Sequence, residues 1–193
     1  MLRFSVPVIA FGAFGAFGAF AALATLAGCQ EDTLHAGAPV PLDGGGSVCT
    51  TCGACEQSFI VASSAHVTGM IDYPDYPPPG GPHNPCWAPW GVHQDVVATE
   101  NWVHNTEHGG IVYLYPVGDA GTASVVELAA FVARSPRTLL TAAPELTTAF
   151  AAVAWGHRLV SPCVDEAAAE AFYAEHLDHG PESIPDEPPS SCR

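Results

Sequence analysis

The sequence predicts an α+β fold: a single small domain, a small sheet with two helices on one face, preceded by a long Pro-rich loop arm. Three observations lead there. After residue 100, short connections separate a helical turn, an apolar β-branched run, an amphipathic helix, two strand-like runs and a last helix. The first crossover among them is long enough for a β-α-β unit. Before residue 100, Pro74, Pro77, Pro78, Pro79, Pro82, Pro85 and Pro89 exclude helix and central strand from residues 72–91.

The chain opens on a leader. Arg3 supplies a positive start, and the apolar run 4–27 carries a Phe-Gly-Ala repeat before Leu26-Ala27-Gly28-Cys29. Leu-Ala-Gly-Cys resembles a bacterial lipobox. Residues 1–28 then read as a lipoprotein signal peptide, with Cys29 as the lipidated (palmitate-bearing) mature N-terminus. A secretory signal cut elsewhere, or an uncleaved anchor, is the alternative. The lipid would make the membrane a partner and the cell envelope the location. Gln30 in place of Asp favours the outer membrane, on its periplasmic or surface face, where a cell has one. Residues 29–48, rich in Gly, Pro, Asp and Ala, read as a flexible tether with a solvated His35. Residues 49–193 read as a single Cys/His-containing globular domain.

The formal charge is −15, with no Lys; outside the leader the cations are Arg134, Arg137, Arg158 and Arg193. Such a surface repels phosphate backbones and excludes nucleic acid as a partner. Protein partners stay open. With Cys29 lipidated, Cys49, Cys52, Cys55, Cys86, Cys163 and Cys192 remain. An even number in an exported chain implies three disulfides, among fifteen possible pairings. The alternative is a thiolate metal site at Cys49-x-x-Cys52-x-x-Cys55.

Phe59-Ile60-Val61 reads as a short strand. In the arm that follows, Tyr73, Tyr76, Trp87 and Trp90 can bury large areas, and Gly80-Gly81-Pro82 presents His83. Asn101 to Gly110 reads as a helical turn that Gly109-Gly110 ends. His104 and His108 are i and i+4 and share one face. Glu107 turns about 100° away from His108, which suits an outer partner or a base. A strand, 111–115, follows. Ser124 and Glu127 read as a capping box for a helix through Val125, Leu128, Ala129 and Val132 that ends before Pro136. Residues 138–141 read as a strand, 144–149 as a short helical turn and 150–160 as one strand that contains His157. Asp165 caps a helix over 166–177. The expected core is Ile111, Val112, Leu114, Val125, Leu128, Val132, Leu139, Val153, Trp155, Leu159 and Phe172. His93 is expected to fill a ring-shaped slot, His176 to be a satisfied core histidine, and Asp95 and Glu100 to be solvated.

Several of these stretches recur together. Ala65-His66-Val67, Pro78-Pro79, Gly81-Pro82-His83, Trp87, Trp90-Gly91, Val103 to Gly110 and Ala154-Trp155-Gly156 follow one another over residues 65–180. That order resembles the family catalogued as domain of unknown function 3105. The chain departs from the resemblance at Gly80, His93 and Thr106, where Ser, Tyr and Leu are usual. The resemblance supplies no activity.

Function is read from the histidines. His104 and His108 can hold a borderline metal, copper or zinc. Two imidazoles alone bind weakly, so further ligands must come from elsewhere, His83 first and His66 second. A metal-dependent hydrolase is the alternative: His104-x-x-Glu107-His108 is formally the inverted zinc-protease motif, with Glu107 as the catalytic base. A structural surface module without metal is the third reading. Whether the chain is an enzyme stays open, but it lacks a phosphate loop, a nucleophile elbow and a dinucleotide fingerprint.

Overall fold

Alternation along one buried strand organises the molecule. In the run Ile111–Pro116, Ile111, Tyr113 and Tyr115 enter one apolar core and Val112 and Leu114 a second. A computed structural model describes residues 33–184. The leader, the lipobox with Cys29, Cys192 and Arg193 lie outside the described residues.

The elements in order are β1 (Leu34–His35), β2 (Val40–Cys49), β3 (Cys55–Ile60), β4 (Ile71–Asp72), β5 (Gly91–Val92), α1 (Thr99–Glu107), β6 (Ile111–Pro116), α2 (Ala123–Arg134), β7 (Thr138–Ala143), β8 (Phe150–Ala154), β9 (His157–Ser161) and α3 (Glu166–His176). The main sheet has seven strands in the order β2-β3-β9-β8-β6-β7-β5, and β1 pairs with β4 separately. β6 and β7 are parallel and joined through α2, the expected crossover. β8 runs antiparallel to both β6 and β9. The fold is α+β, one domain with, among the described residues, three α-helices on a mixed sheet. α2 and α3 pack on the face of Ile111 and Tyr113, whereas α1 and the Pro-rich arm pack on the face of Val112 and Leu114.

Several elements differ from expectation. Residues 40–48, read as tether, belong to β2, an edge strand against β3, because backbone pairing does not require apolar side chains. Residues 150–160 are not one strand. Gly156, at φ 78°, turns the chain between β8 and β9 into a hairpin. Residues 144–149 form turns, not a helical turn. α2 starts one residue before Ser124, with Thr122 at its N-cap, so the Ser124–Glu127 box does not form. Asp165 does cap α3, its side chain accepting from Ala168 N at 3.0 Å. Trp155 is half-buried rather than core, packed against the second apolar cluster; the other ten expected core residues are buried.

Disulfides and one arginine cross-link the described segments. Cys49 pairs with Cys55 and Cys52 with Cys163, and Cys86 is also disulfide-bonded. The Cys49-x-x-Cys52-x-x-Cys55 thiols are therefore consumed, and a thiolate metal site there does not form. Arg158 reaches from β9 into the arm, donating to Pro77 O at 2.9 Å and pairing with Asp75 at 2.8 Å.

Candidate metal centre

α1 carries His104 and Glu107 on its last turn, and His108 is its C-cap. Gly109, at φ 81°, continues into the left-handed conformation that ends the helix. Its neighbour Gly110 lies so close to Trp90 that a Cβ would sit 2.3 Å from the ring. The arm is thus pressed onto the end of α1. A parallel bridge, with His83 N donating to Ala65 O and Val67 N to His83 O, sets His66 beside His83.

All four sequence-selected imidazoles meet. Ring centroids lie 4.9 Å apart for His66–His83, 4.8 Å for His66–His104, 4.6 Å for His83–His104 and 4.7 Å for His104–His108. Glu107 is among them, not turned away. Its Oε2 lies 2.8 Å from His83 Nε2, 3.4 Å from His66 Nε2 and 3.9 Å from His104 Nε2. The reason was in the spacing: Glu107 is i+3 from His104, so the two share a face even though Glu107 and His108 do not. One donor atom each from His66, His83, His104 and Glu107 falls within a 4.8 Å sphere of mutual distances. His108 belongs to a neighbouring group with Glu107 and Glu182, and its Nε2 is 2.7 Å from His104 Nε2.

The other ring nitrogens are anchored on main-chain oxygens. His83 Nδ1 lies 2.8 Å from Gly81 O, His104 Nδ1 2.7 Å from Asn84 O, and His108 Nδ1 3.1 Å from Glu182 O. A carbonyl only accepts, so each Nδ1 carries the proton and each Nε2 keeps a lone pair. His83 Nε2 is buried and has no aligned hydrogen bond, although Glu107 is near.

Trp87 lies over His104 and His108 at 5.3 and 4.9 Å, and the edge of Trp155 meets His83 at 5.8 Å. His83, His104, Glu107 and His108 are buried, whereas the His66 side chain is 46% exposed and opens the cluster to solvent. Burial holds the His104 imidazole down at about 4, with the neighbouring His83, His108 and His66 pushing the same way. Burial also lowers His108. For Glu107, burial pushes the carboxyl up, but the imidazoles of His83, His104 and His66 outweigh it and hold it below its usual range. At pH 7 the His104 and His108 imidazoles are neutral and the Glu107 carboxylate is ionised.

A family model described as protein of unknown function (DUF3105) matches residues 66–190. The chain belongs to the DUF3105 family. No curated protein and no solved structure matches the chain. The DUF3105 match starts at His66 and extends past the expected residue 180, so it takes in every residue of the cluster and also Glu182, whose carbonyl anchors His108. Of the departures from the DUF3105 pattern, Thr106 is buried and satisfied by donating to Val103 O at 2.7 Å. His93 stays outside the cluster, with Nε2 2.7 Å from Pro89 O.

Two contributions escaped the sequence reading. Asn105 clamps the arm, accepting from Ala88 N and donating to Ala88 O, both at 2.9 Å. Glu100, expected to be solvated, accepts from Ile71 N at 3.0 Å. Asn105 sits inside the His104–His108 motif, and that position is the only signal the sequence offered for it.

Proposed function

We propose that this is an exported, lipid-anchored protein whose His66, His83, His104 and Glu107 hold one copper or zinc ion, with His108 alongside. The supporting observation is the orientation of the imidazoles. Metal-bound histidines characteristically give their other N–H to a carbonyl or carboxylate, which fixes the ring and the tautomer. Here His83, His104 and His108 all do so, and the Nε2 atoms lie 2.8 Å from a buried carboxylate (His83) or 2.7 Å from each other (His104 and His108). Those contacts repel unless a cation lies between them. At His104 a proton is disfavoured, because burial holds that imidazole down at about 4. Three imidazoles and a carboxylate make a four-ligand nitrogen and oxygen set that suits Zn2+ or Cu2+.

The test is elemental analysis and calorimetry on the folded, oxidised, untagged protein purified without added metal. His83→Ala and His104→Ala should each remove one metal equivalent, while His93→Ala retains it. Affinity should weaken in acid, since the imidazoles must be neutral to ligate, and His104 gives up the ion only as pH falls towards about 4. A folded protein with neither metal nor affinity for copper or zinc would leave the structural-module reading. Intact mass of the same preparation reads lipid attachment at Cys29.

The hydrolase reading has less support. It requires His104 and His108 to share the ion and Glu107 to stand off as base, but Glu107 lies within the donor set. Glu107→Gln separates the two. A ligand's loss weakens or removes the metal, whereas a base's loss leaves the metal and removes turnover.

A further inference from the structure

The opposite face of the sheet holds a second group of the same chemistry. Ser58 on β3 pairs with His157 on β9, so their side chains share a face, and Glu56, two residues along, shares it too. α3 packs on that face and brings His176 down beside Phe172. The result is compact. Glu56 Oε1 lies 2.9 Å from His157 Nδ1 and 2.9 Å from His176 Nε2, and the two rings stack at 4.2 Å. Glu56 and His176 are buried, at 2% and 5% exposure. The His157 side chain is 33% exposed and gives access from solvent.

A purely hydrogen-bonded triad does not satisfy this group. Glu56 Oε2 has no partner among the described residues, and His176 Nε2, though near Glu56, has no aligned hydrogen bond. Each such buried polar atom costs about 1–3 kcal/mol if nothing meets it. The surroundings are built to keep the carboxylate there. Any side chain at Gly46 on β2 would place its Cβ 2.4 Å from Glu56 Cδ, so the edge strand must carry glycine at this point. The disulfide of Cys49 with Cys55, the residue before Glu56, fixes the strand end. Donor separations of 2.9 Å are a few tenths short of the ~3.3 Å edge of a tetrahedron with ~2.0 Å metal bonds. Small outward shifts would admit an ion.

We infer that Glu56, His157 and His176 form a second metal site, for a divalent cation of the zinc type, with its fourth position open to solvent past His157. Two imidazoles and one carboxylate with an open position match such an ion. The described cysteines are in disulfides, so no thiolate competes. His176, expected as a satisfied core histidine, becomes a ligand. This site shares no residue with the first and does not depend on it.

The experiment titrates Zn2+, with Co2+ as a spectroscopic probe, into the folded, oxidised full mature protein. Two equivalents are expected in the parent. Glu56→Gln, which keeps shape and hydrogen bonding, and His176→Gln should each lose one equivalent and keep the other. In a His83→Ala/His104→Ala background the second equivalent should persist, so failure of the first site leaves this one testable. Imidazole nitrogen NMR on the parent needs no variant that might misfold. Zn2+ should move His157 Nδ1 and His176 Nε2, with His157 ligating through Nδ1. A parent whose His157 and His176 nitrogens do not respond to Zn2+, or a stoichiometry of two equivalents that is unchanged by Glu56→Gln and by His176→Gln, would overturn the inference and leave a buried hydrogen-bonded triad.

Discussion

Asn105 holds the first site together without being a candidate ligand. Its amide closes a two-bond pair with the main chain of Ala88 in the interior. The same arm carries Asn84, whose carbonyl orients His104, and Asn84 N in turn donates to Glu100 O. Asn105→Ala strips two buried backbone groups of their partners. We expect a loss of about 3 kcal/mol in urea unfolding, at about 1–3 kcal/mol for each unsatisfied group. Metal affinity should fall about 10–100-fold, the range for residues that orient ligands. A stability change under about 1 kcal/mol, with unchanged affinity, would show that the arm is held by its prolines and tryptophans alone.

α3 delivers His176, and its start is set by one carboxylate. Asp165 caps the helix through Ala168 N and also accepts from Thr51 N at 2.7 Å and Thr51 Oγ1 at 2.8 Å. The cap therefore ties α3 to the loop that carries Cys52. The Thr51 amide, then those of Ala168 and Ala167, hold the Asp165 carboxyl below its ordinary 3.8. The sign follows directly. The folded state binds this proton less readily than the unfolded state, so the contribution is full above pH 3.8 and is lost as pH falls through the folded value. Asp165→Ala should cost about 1–2 kcal/mol at pH 7, the range for a lost N-cap. The gap between parent and variant in chemical denaturation should narrow in acid. A gap that stays constant or widens on acidification would mean that the charge of Asp165 is irrelevant to folding.

The whole domain is closed by cross-links of very different reach. Cys52–Cys163 spans 111 residues of sequence, whereas Cys49–Cys55 spans 6. On chain-entropy grounds the long link restrains the unfolded chain by about 5 kcal/mol and the short one by about 2. Cys52→Ser/Cys163→Ser should therefore lower stability by roughly 2–3 kcal/mol more than Cys49→Ser/Cys55→Ser in guanidinium melts. The short link's removal should instead register at the second site, where it fixes the strand end before Glu56. Equal losses from the two pairs would contradict the entropic account. The sheet separates the two proposed metal sites, one beneath the Pro-rich arm and one beneath α3, so occupancy of each can be tested independently.

The sequence alone determined what depends on neighbours a few residues apart. The i, i+4 pairing of His104 and His108, the glycine stop after them, the Asp165 cap and the apolar face of α2 follow from spacings of three to five residues, which backbone geometry fixes locally. The arm was legible because proline forbids alternatives wherever it occurs. Sequence logic also pointed to His83 and His66 as companions of the motif, but how they approach α1 rests on the Ala65–His83 bridge, a tertiary contact. Glu107 was misplaced by weighing one angle on the helix against His108 and not the i+3 relation to His104. The hairpin at Gly156 and the edge strand in the presumed tether required pairing partners that no local pattern names. Tertiary structure alone decided the group of Glu56, His157 and His176. Glu56 and His157 are 101 positions apart, and they meet only because β3 and β9 pair in one register. A slip of a single residue would turn His157 to the other face, so the site exists through strand registry that no spacing along the chain encodes.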